Sequence, residues 1–280
     1  MSPALGEYNS PSMERKAQYP TPQHEDAANS ITAFFSREHE IESVLLVNSC
    51  ARGKATRDSC LDLAVLVGPE WLGRHEVQLE AEWAAFEKTD RAIRALKLTG
   101  KFSDVHLGFF DGAFVPTEQD EAAGPDSFEI GIGNFLVYGF PLWERAGGSA
   151  HLEEIKRKWL PYYDDGLRQQ RLAAVRWFCL NNLHHIPLYV ERGLYFQSFD
   201  RLYNAYQEFL QALFIARRTY PIAYNKWIRE QVVEILGLPE LYEQLPRLFE
   251  IRDFESRELV EKGLEVERLL EEYAPSGEQP

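Results

Sequence analysis

The chain has 280 residues, of which 45% are hydrophobic and 26% charged, with a formal net charge of −14. These are globular values over a length that suits one or two domains, so disordered and low-complexity classes are excluded for most of the chain. The acidic balance excludes a general grip on extended nucleic acid, itself a polyanion. Three cysteines, Cys50, Cys60 and Cys179, make no disulfide framework. No apolar run is long enough for a membrane-spanning helix, and the first 22 residues lack the apolar core of a secretory signal. A cytoplasmic protein without a membrane partner is expected.

In chain order, residues 1–24 read as a disordered tail rich in Pro, Ser and Glu. A helix is expected over 25–40, with Ile31, Phe34 and Phe35 on one side. Residues 44–47 are a short β-leaning apolar run, and so are 61–67, where Asp62 interrupts the run and Gly68-Pro69 ends it. Val77, Ala81, Ala84, Ile93 and Leu96 recur at helical spacing and predict a helix over 76–97. A third strand is expected over 103–111, then a loop through Pro116 to Asp126. Residues 130–143 are apolar and punctuated by glycine, and their period favours neither helix nor strand. From 151 to 273 the period is helical, with Leu202, Tyr206, Phe209 and Leu213 as a clear stripe. Residues 274–280 read as a second tail. The fold class is therefore α+β, with a mixed α/β domain over 25–147 and a helical bundle over 148–273.

The segment between the first two apolar runs carries the chemistry: Asn48-Ser49-Cys50-Ala51-Arg52-Gly53-Lys54-Ala55-Thr56-Arg57-Asp58-Ser59-Cys60-Leu61-Asp62-Leu63. A strand, a small polar turn and a helix start present backbone N–H groups outward and suit an anion. Ser49 adds a hydroxyl, and Arg52 and Lys54 add charge. This segment resembles the signature of the DNA polymerase β-like nucleotidyltransferase superfamily: Gly-Ser, then Ala-Arg-Gly, then Ser-Asp-hydrophobic-Asp-hydrophobic. Ser49, Ala51, Arg52, Gly53, Ala55, Ser59, Leu61, Asp62 and Leu63 stand at matching spacing. The resemblance covers about residues 40–145. The stretch Tyr220-Pro221 to Lys226-Trp227 is similar to one in the helical bundles of small members such as aminoglycoside nucleotidyltransferases.

The resemblance implies a nucleotidyltransferase-type mixed sheet with flanking helices, followed by a C-terminal helical bundle and a cleft between them. It implies metal-dependent transfer of a nucleoside monophosphate from a nucleoside triphosphate to a hydroxyl of a small molecule or protein. In that frame Ser49, Arg52, Gly53 and Lys226 bind the nucleotide. Asp62 and Asp104 are the catalytic residues and the ligands of Mg²⁺ or Mn²⁺, with Asp104 beside Asp62 and able to serve as base.

Two departures matter. Asn48 replaces the family glycine, and Asn tolerates positive φ better than most residues. Cys60 replaces the first family Asp, and Mg²⁺ takes oxygen ligands whereas thiolate suits softer metals. Asp58 lies two residues upstream, too far on a regular strand for a simple swap. The alternative is a degenerate protein that binds nucleotide or a partner without transfer. A purely structural protein is a third reading. Asp111 competes with Asp104, and His106 reads as a half-buried strand residue. Cys60 reads as a small apolar side chain, and Trp177, Tyr206, Phe209 and Phe214 as bundle core. His184-His185 invite a metal, but adjacent helical residues do not face one another.

Overall fold

The computed structural model describes residues 17–116, 124–146 and 150–276. Two compact units emerge. One takes the described chain up to Phe114 together with Ile132–Pro161; the other takes Val115–Gly131 and the chain from Tyr162 onward. The first is a mixed four-stranded sheet with flanking helices and the second is helical, an α+β architecture.

In the sheet unit the strands are β1 (Ile41–Leu46), β2 (Leu61–Val67), β3 (Val105–Phe110) and β4 (Phe140–Glu144), in spatial order β3-β2-β1-β4. β1 pairs antiparallel with both β2 and β4, whereas β2 and β3 run parallel. The parallel pair needs a crossover, supplied by α3 (Pro69–Thr89) and α4 (Arg91–Lys97). One sheet face, with Val44, Leu46, Leu61, Leu63 and Val65, packs with Ala28, Ile31 and Phe35 of α1 (Pro22–Phe35), Leu79 of α3, and Ile93 and Leu96 of α4. The other holds Leu45, Val47 and Ala64 against Phe110 and Phe135. Because both faces are covered, β1 and β2 read as almost unbroken apolar runs.

Several boundaries differ from the expected ones, each for a local reason. Ala17 and Tyr19 pack on the first core, and the Thr21 side chain accepts from the His24 amide. Ala17, Tyr19 and Thr21, expected in the first tail, thus belong to the packed unit. Pro69 ends the strand region and opens α3 at its first position, where its missing N–H costs nothing. The helix expected over 76–97 is two helices. Asp90 is extended, its Oδ1 accepts from the Ile93 amide at 2.9 Å, and its Oδ2 accepts from Ser30 at 2.8 Å. Asp90 therefore caps α4 and stops α3 in the same step. Residues 130–143 contain the end of α5 (Phe128–Ile132), a π-type turn (Gly133–Val137) and β4 up to Trp143. Gly139 makes that junction possible, since a Cβ there would lie 2.4 Å from the Phe135 carbonyl oxygen. α6 (Ala150–Trp159) completes the unit.

The helical unit is built on α7 (Asp165–Glu191), α8 (Tyr195–Ala216) and α10 (Glu258–Tyr273), with α9 (Pro239–Gln244) and short turns between α8 and α10. Leu202, Tyr206, Phe209 and Leu213 are buried as their spacing predicts, and they meet Val175, Cys179, Leu183, Val266 and Leu269. Trp177, expected in this core, is 52% exposed on the outer side of α7. Ala274, expected in the second tail, is buried at the end of α10.

Candidate functional site

The turn after β1 is held to β2. The Val47 N–H donates to the Asp62 carbonyl at 3.0 Å. The next residue, Asn48, has φ 56, a left-handed conformation in which Asn is among the few common non-glycine residues. α2 (Asn48–Ala51) is one helical turn, closed by Gly53 N–H to Cys50 O at 3.2 Å and Lys54 N–H to Ser49 O at 2.9 Å. Gly53 has φ 67, and a Cβ there would lie 2.6 Å from Gln18 Oε1. Ser49 is half-buried and Lys54 exposed. Both terminal nitrogens of Arg52 are shielded from solvent.

β2 carries the carboxylate. Leu61 and Leu63 point into the core and Asp62 to the opposite face. In the parallel register the partner of Asp62 is His106, not Asp104. Nδ1 of His106 lies 3.2 Å from Asp62 Oδ1, and the imidazole is 66% exposed rather than half-buried. Asp104 precedes β3, and its carbonyl accepts from the Leu61 N–H at 2.8 Å, so it lies level with Cys60. It shares the Asp62 face but is one diagonal step away, a separation of roughly 7–8 Å between backbones. Lys97 holds Asp104 at 2.8 Å, and the Val105 amide donates to the same carboxyl at 2.8 Å. Burial pushes this carboxyl upward, but the Lys97 hydrogen bond, the Val105 amide and the Lys97 and His106 charges outweigh it. The Asp104 pKa is held below the ordinary value.

The two cysteines of this region remain protonated thiols. Burial, followed by the Asp62 charge, raises the Cys60 pKa. Its Sγ donates to the Phe102 carbonyl at 3.3 Å. The buried Cys50 is pushed up to about 12, first by burial and then by Asp62. Asp58 does not substitute for Cys60, because its Oδ1 accepts from the Lys101 amide at 2.9 Å. Asp111 closes the local turn after β3 through the Ala113 amide at 2.9 Å. His185 bonds the Asn181 carbonyl at 2.7 Å while His184 lies 3.7 Å from Glu267 in another direction, so the adjacent pair does not converge.

These donors do not fit a two-ion Mg²⁺ or Mn²⁺ centre. A hard divalent ion takes oxygen ligands, with Mg²⁺ near-octahedral at about 2.1 Å. The position of the first carboxylate holds a neutral thiol, the second carboxylate is shared with an imidazole, and Asp104 is ion-paired with Lys97. Among the described residues no group of three His, Cys, Asp or Glu side chains is arranged to hold a metal ion. His106 lies on the expected strand, but it is exposed rather than half-buried and it faces Asp62. Its signal was present: Val105-His106-Leu107 sets one polar residue between two apolar ones, as Leu61-Asp62-Leu63 does.

Lys226 belongs to the helical unit, in an exposed tip with Asn225 and Trp227. Nearby Arg218 pairs with Asp165 at 2.8 Å. No helix among the described residues is long and apolar enough to cross a membrane.

No family model matches the chain, and no curated protein does. Among solved structures, a nucleotidyltransferase-like protein from Exiguobacterium sibiricum 255-15 superposes with a TM-score of 0.44 at 13% identity. The match covers 89% of this chain and 74% of that one. The chemistry therefore has to come from the residues of the site themselves.

Proposed function

We propose that this chain is a nucleotidyltransferase-type protein that binds a nucleoside triphosphate at the 48–53 turn and has lost efficient metal-dependent transfer. The observation that carries the reading is the placement of Asp62. The left-handed Asn48 turn adjoins it through Val47, and β3 runs parallel beside it. The sequence resemblance implies a phosphate role for this turn and a carboxylate on the strand that follows it. The residues that would complete a metal centre are a thiol and an imidazole. Ser49 and the exposed Lys54 supply a hydroxyl and a cation to phosphate oxygens. The acceptor hydroxyl, on a small molecule or a protein, would be the partner of any residual transfer.

The test is calorimetric titration with ATP in the presence and absence of Mn²⁺, beside a transfer assay with labelled nucleoside triphosphate. Binding without transfer is the expected result. Robust label transfer would restore the enzymatic reading, and absence of binding would leave only a structural role. Replacing Ser49 and Lys54 together by Ala should weaken ATP binding by about 2–4 kcal/mol, at roughly 1.5–3 for a charged hydrogen bond and less for the hydroxyl. Unchanged affinity in the folded double variant would move the phosphate site elsewhere.

Restoring the missing carboxylate gives a sharper check. Cys60→Asp adds a carboxyl to the face that holds Asp62 and Asp104, so the metal-free protein should melt lower through like-charge repulsion. Mn²⁺ should then raise its melting temperature, since a ligand bound only by the native state stabilises that state. The unsubstituted chain should show little response. A response to Mn²⁺ as large in the unsubstituted chain would mean that Cys60 does not impair the metal centre.

A further inference from the structure

One ammonium sits among the carboxylates that do not suit a divalent ion. Lys97 is the last residue of α4, and its Nζ lies 2.8 Å from Asp104 Oδ1 and 2.8 Å from Glu87 Oε1 of α3. The helix period places it there. Ile93 and Leu96 face the core, Arg91, Arg94 and Leu98 are exposed on the far side, and Lys97 falls on the flank between them. The segment after α4 is tied to the turn before β2. Arg57 Nε donates to the Thr99 carbonyl at 2.8 Å, Ser103 Oγ donates to the Arg57 carbonyl at 2.6 Å, and the Cys60 thiol donates to the Phe102 carbonyl at 3.3 Å. Asp104 is thereby fixed beside Cys60, within reach of Lys97.

The charge balance of this end of the sheet is unlike that of the chain. β1 ends here, and β2 and β3 begin here. Residues 48–62 and 97–106 hold five Lys or Arg and three Asp or Glu, whereas the whole chain holds 30 and 44. A nucleotide chelated to a divalent ion brings positive charge with it and needs free carboxylate oxygens around the ion. Asp104 gives Oδ1 to Lys97, and Asp62 Oδ1 faces His106. An unchelated triphosphate keeps its full negative charge and needs cations instead. Lysine supplies one as a compact point charge.

We infer that Lys97 is a built-in counter-cation, a positioning residue that neutralises Asp104 in place of a divalent ion, so that the chain takes its nucleoside triphosphate free of metal. This rests on the reading that the 48–53 turn binds such a nucleotide, and it adds the form of the ligand. The test titrates ATP calorimetrically, once in EDTA and once with excess Mg²⁺ at matched ionic strength. The unsubstituted chain is compared with Lys97→Met, which keeps the aliphatic stem, and Lys97→Arg, which keeps the charge. Thermal melts with and without Mn²⁺ accompany the titrations.

The unsubstituted chain should bind ATP roughly tenfold more tightly in EDTA, the scale of one charge-assisted hydrogen bond. Lys97→Met should reverse that order, because Asp104 then repels the free triphosphate and is open to an ion. It should also gain a rise in melting temperature on adding Mn²⁺. Lys97→Arg should match the unsubstituted chain. If Lys97→Met does not fold, Asp104→Asn replaces it and should bind ATP in EDTA more tightly than the unsubstituted chain, since the face loses a negative charge; equal or weaker binding overturns the inference. Equal or tighter binding with Mg²⁺ in the unsubstituted chain also overturns it and leaves the nucleotide reading standing. So does a folded Lys97→Met that keeps the EDTA preference or ignores Mn²⁺, for Lys97 is then an ordinary surface pair. If the unsubstituted chain binds ATP in neither buffer, the nucleotide reading falls and takes the inference with it.

Discussion

Arg171→Ala should cost the helical unit about 3–5 kcal/mol, the range for breaking a buried ion pair from one side. The Arg171 side chain is 8% exposed, and its partners Asp126 and Glu129 are 3% and 0% exposed. The guanidinium donates to Glu129 from Nε and Nη2, both at 2.8 Å, and to Asp126 from Nη1 at 3.0 Å and Nη2 at 2.7 Å. Gln211 Nε2 bonds both carboxylates at 2.8 Å, and the Tyr163 hydroxyl donates to Glu129 at 2.9 Å. Two negative charges share one positive charge, and the neutral donors Gln211 and Tyr163 add second hydrogen bonds to three of the four carboxylate oxygens. Burial pulls the arginine pKa down, and its bonds to Glu129 and Asp126 more than reverse this, so it stays charged.

Removing the cation leaves two carboxylates buried without it, which is far costlier than the pair itself is stabilising. The check is urea unfolding followed by circular dichroism. Adding Glu129→Gln to Arg171→Ala should recover part of the loss, because it removes one orphaned charge. A loss under about 1 kcal/mol for Arg171→Ala would show that these charges reach water.

This network also marks the limit of what the sequence revealed. Its hydrogen bonds join residues 34 to 85 positions apart, and no local pattern links them. Strands β1 and β2 were legible because residues 44–47 and 61–67 are continuous apolar runs bounded by polar turns. The left-handed Asn48 was legible because only a few residue types tolerate that conformation. The pairing of Asp62 with His106 was not. Register depends on where β3 begins relative to β2, and a displacement of two residues preserves the face pattern while exchanging Asp104 for His106. Asp90 was hidden for another reason: one helical period runs through α3 and α4, and a capping carboxylate resembles any exposed Asp in such a stripe.

Glu208 should make stability fall with pH across the near-neutral range. It lies on α8, 1% exposed, facing α7. Asn182 Nδ2 donates to its Oε2 at 2.8 Å, and Arg201 bonds the other end of that amide at 2.7 Å. Its Oε1 has no hydrogen-bond partner among the described residues. Burial pushes the Glu208 pKa up to about 7 from 4.5, against the Asn182 hydrogen bond and the Arg201 charge. Cys179, which donates to the Ala205 carbonyl at 3.3 Å and is raised first by burial and then by Glu208, stays neutral in this range.

The sign follows from proton counts. Between pH 4.5 and about 7 the native state holds a proton that the unfolded chain releases, so stability declines as pH rises. The contribution is fully present below the unfolded pKa and lost above the folded one. Raising a pKa tenfold in proton affinity corresponds to about 1.4 kcal/mol, so the whole contribution is about 3 kcal/mol. Glu208→Gln keeps the shape and an acceptor for Asn182 but cannot ionise. Its stability relative to the unsubstituted chain should therefore rise from pH 4.5 to 7 and level off above that. Urea unfolding of both proteins at closely spaced pH values measures the difference. A constant difference across the range would mean that Glu208 ionises inside the folded unit as easily as outside it, with water or Arg201 reaching its Oε1.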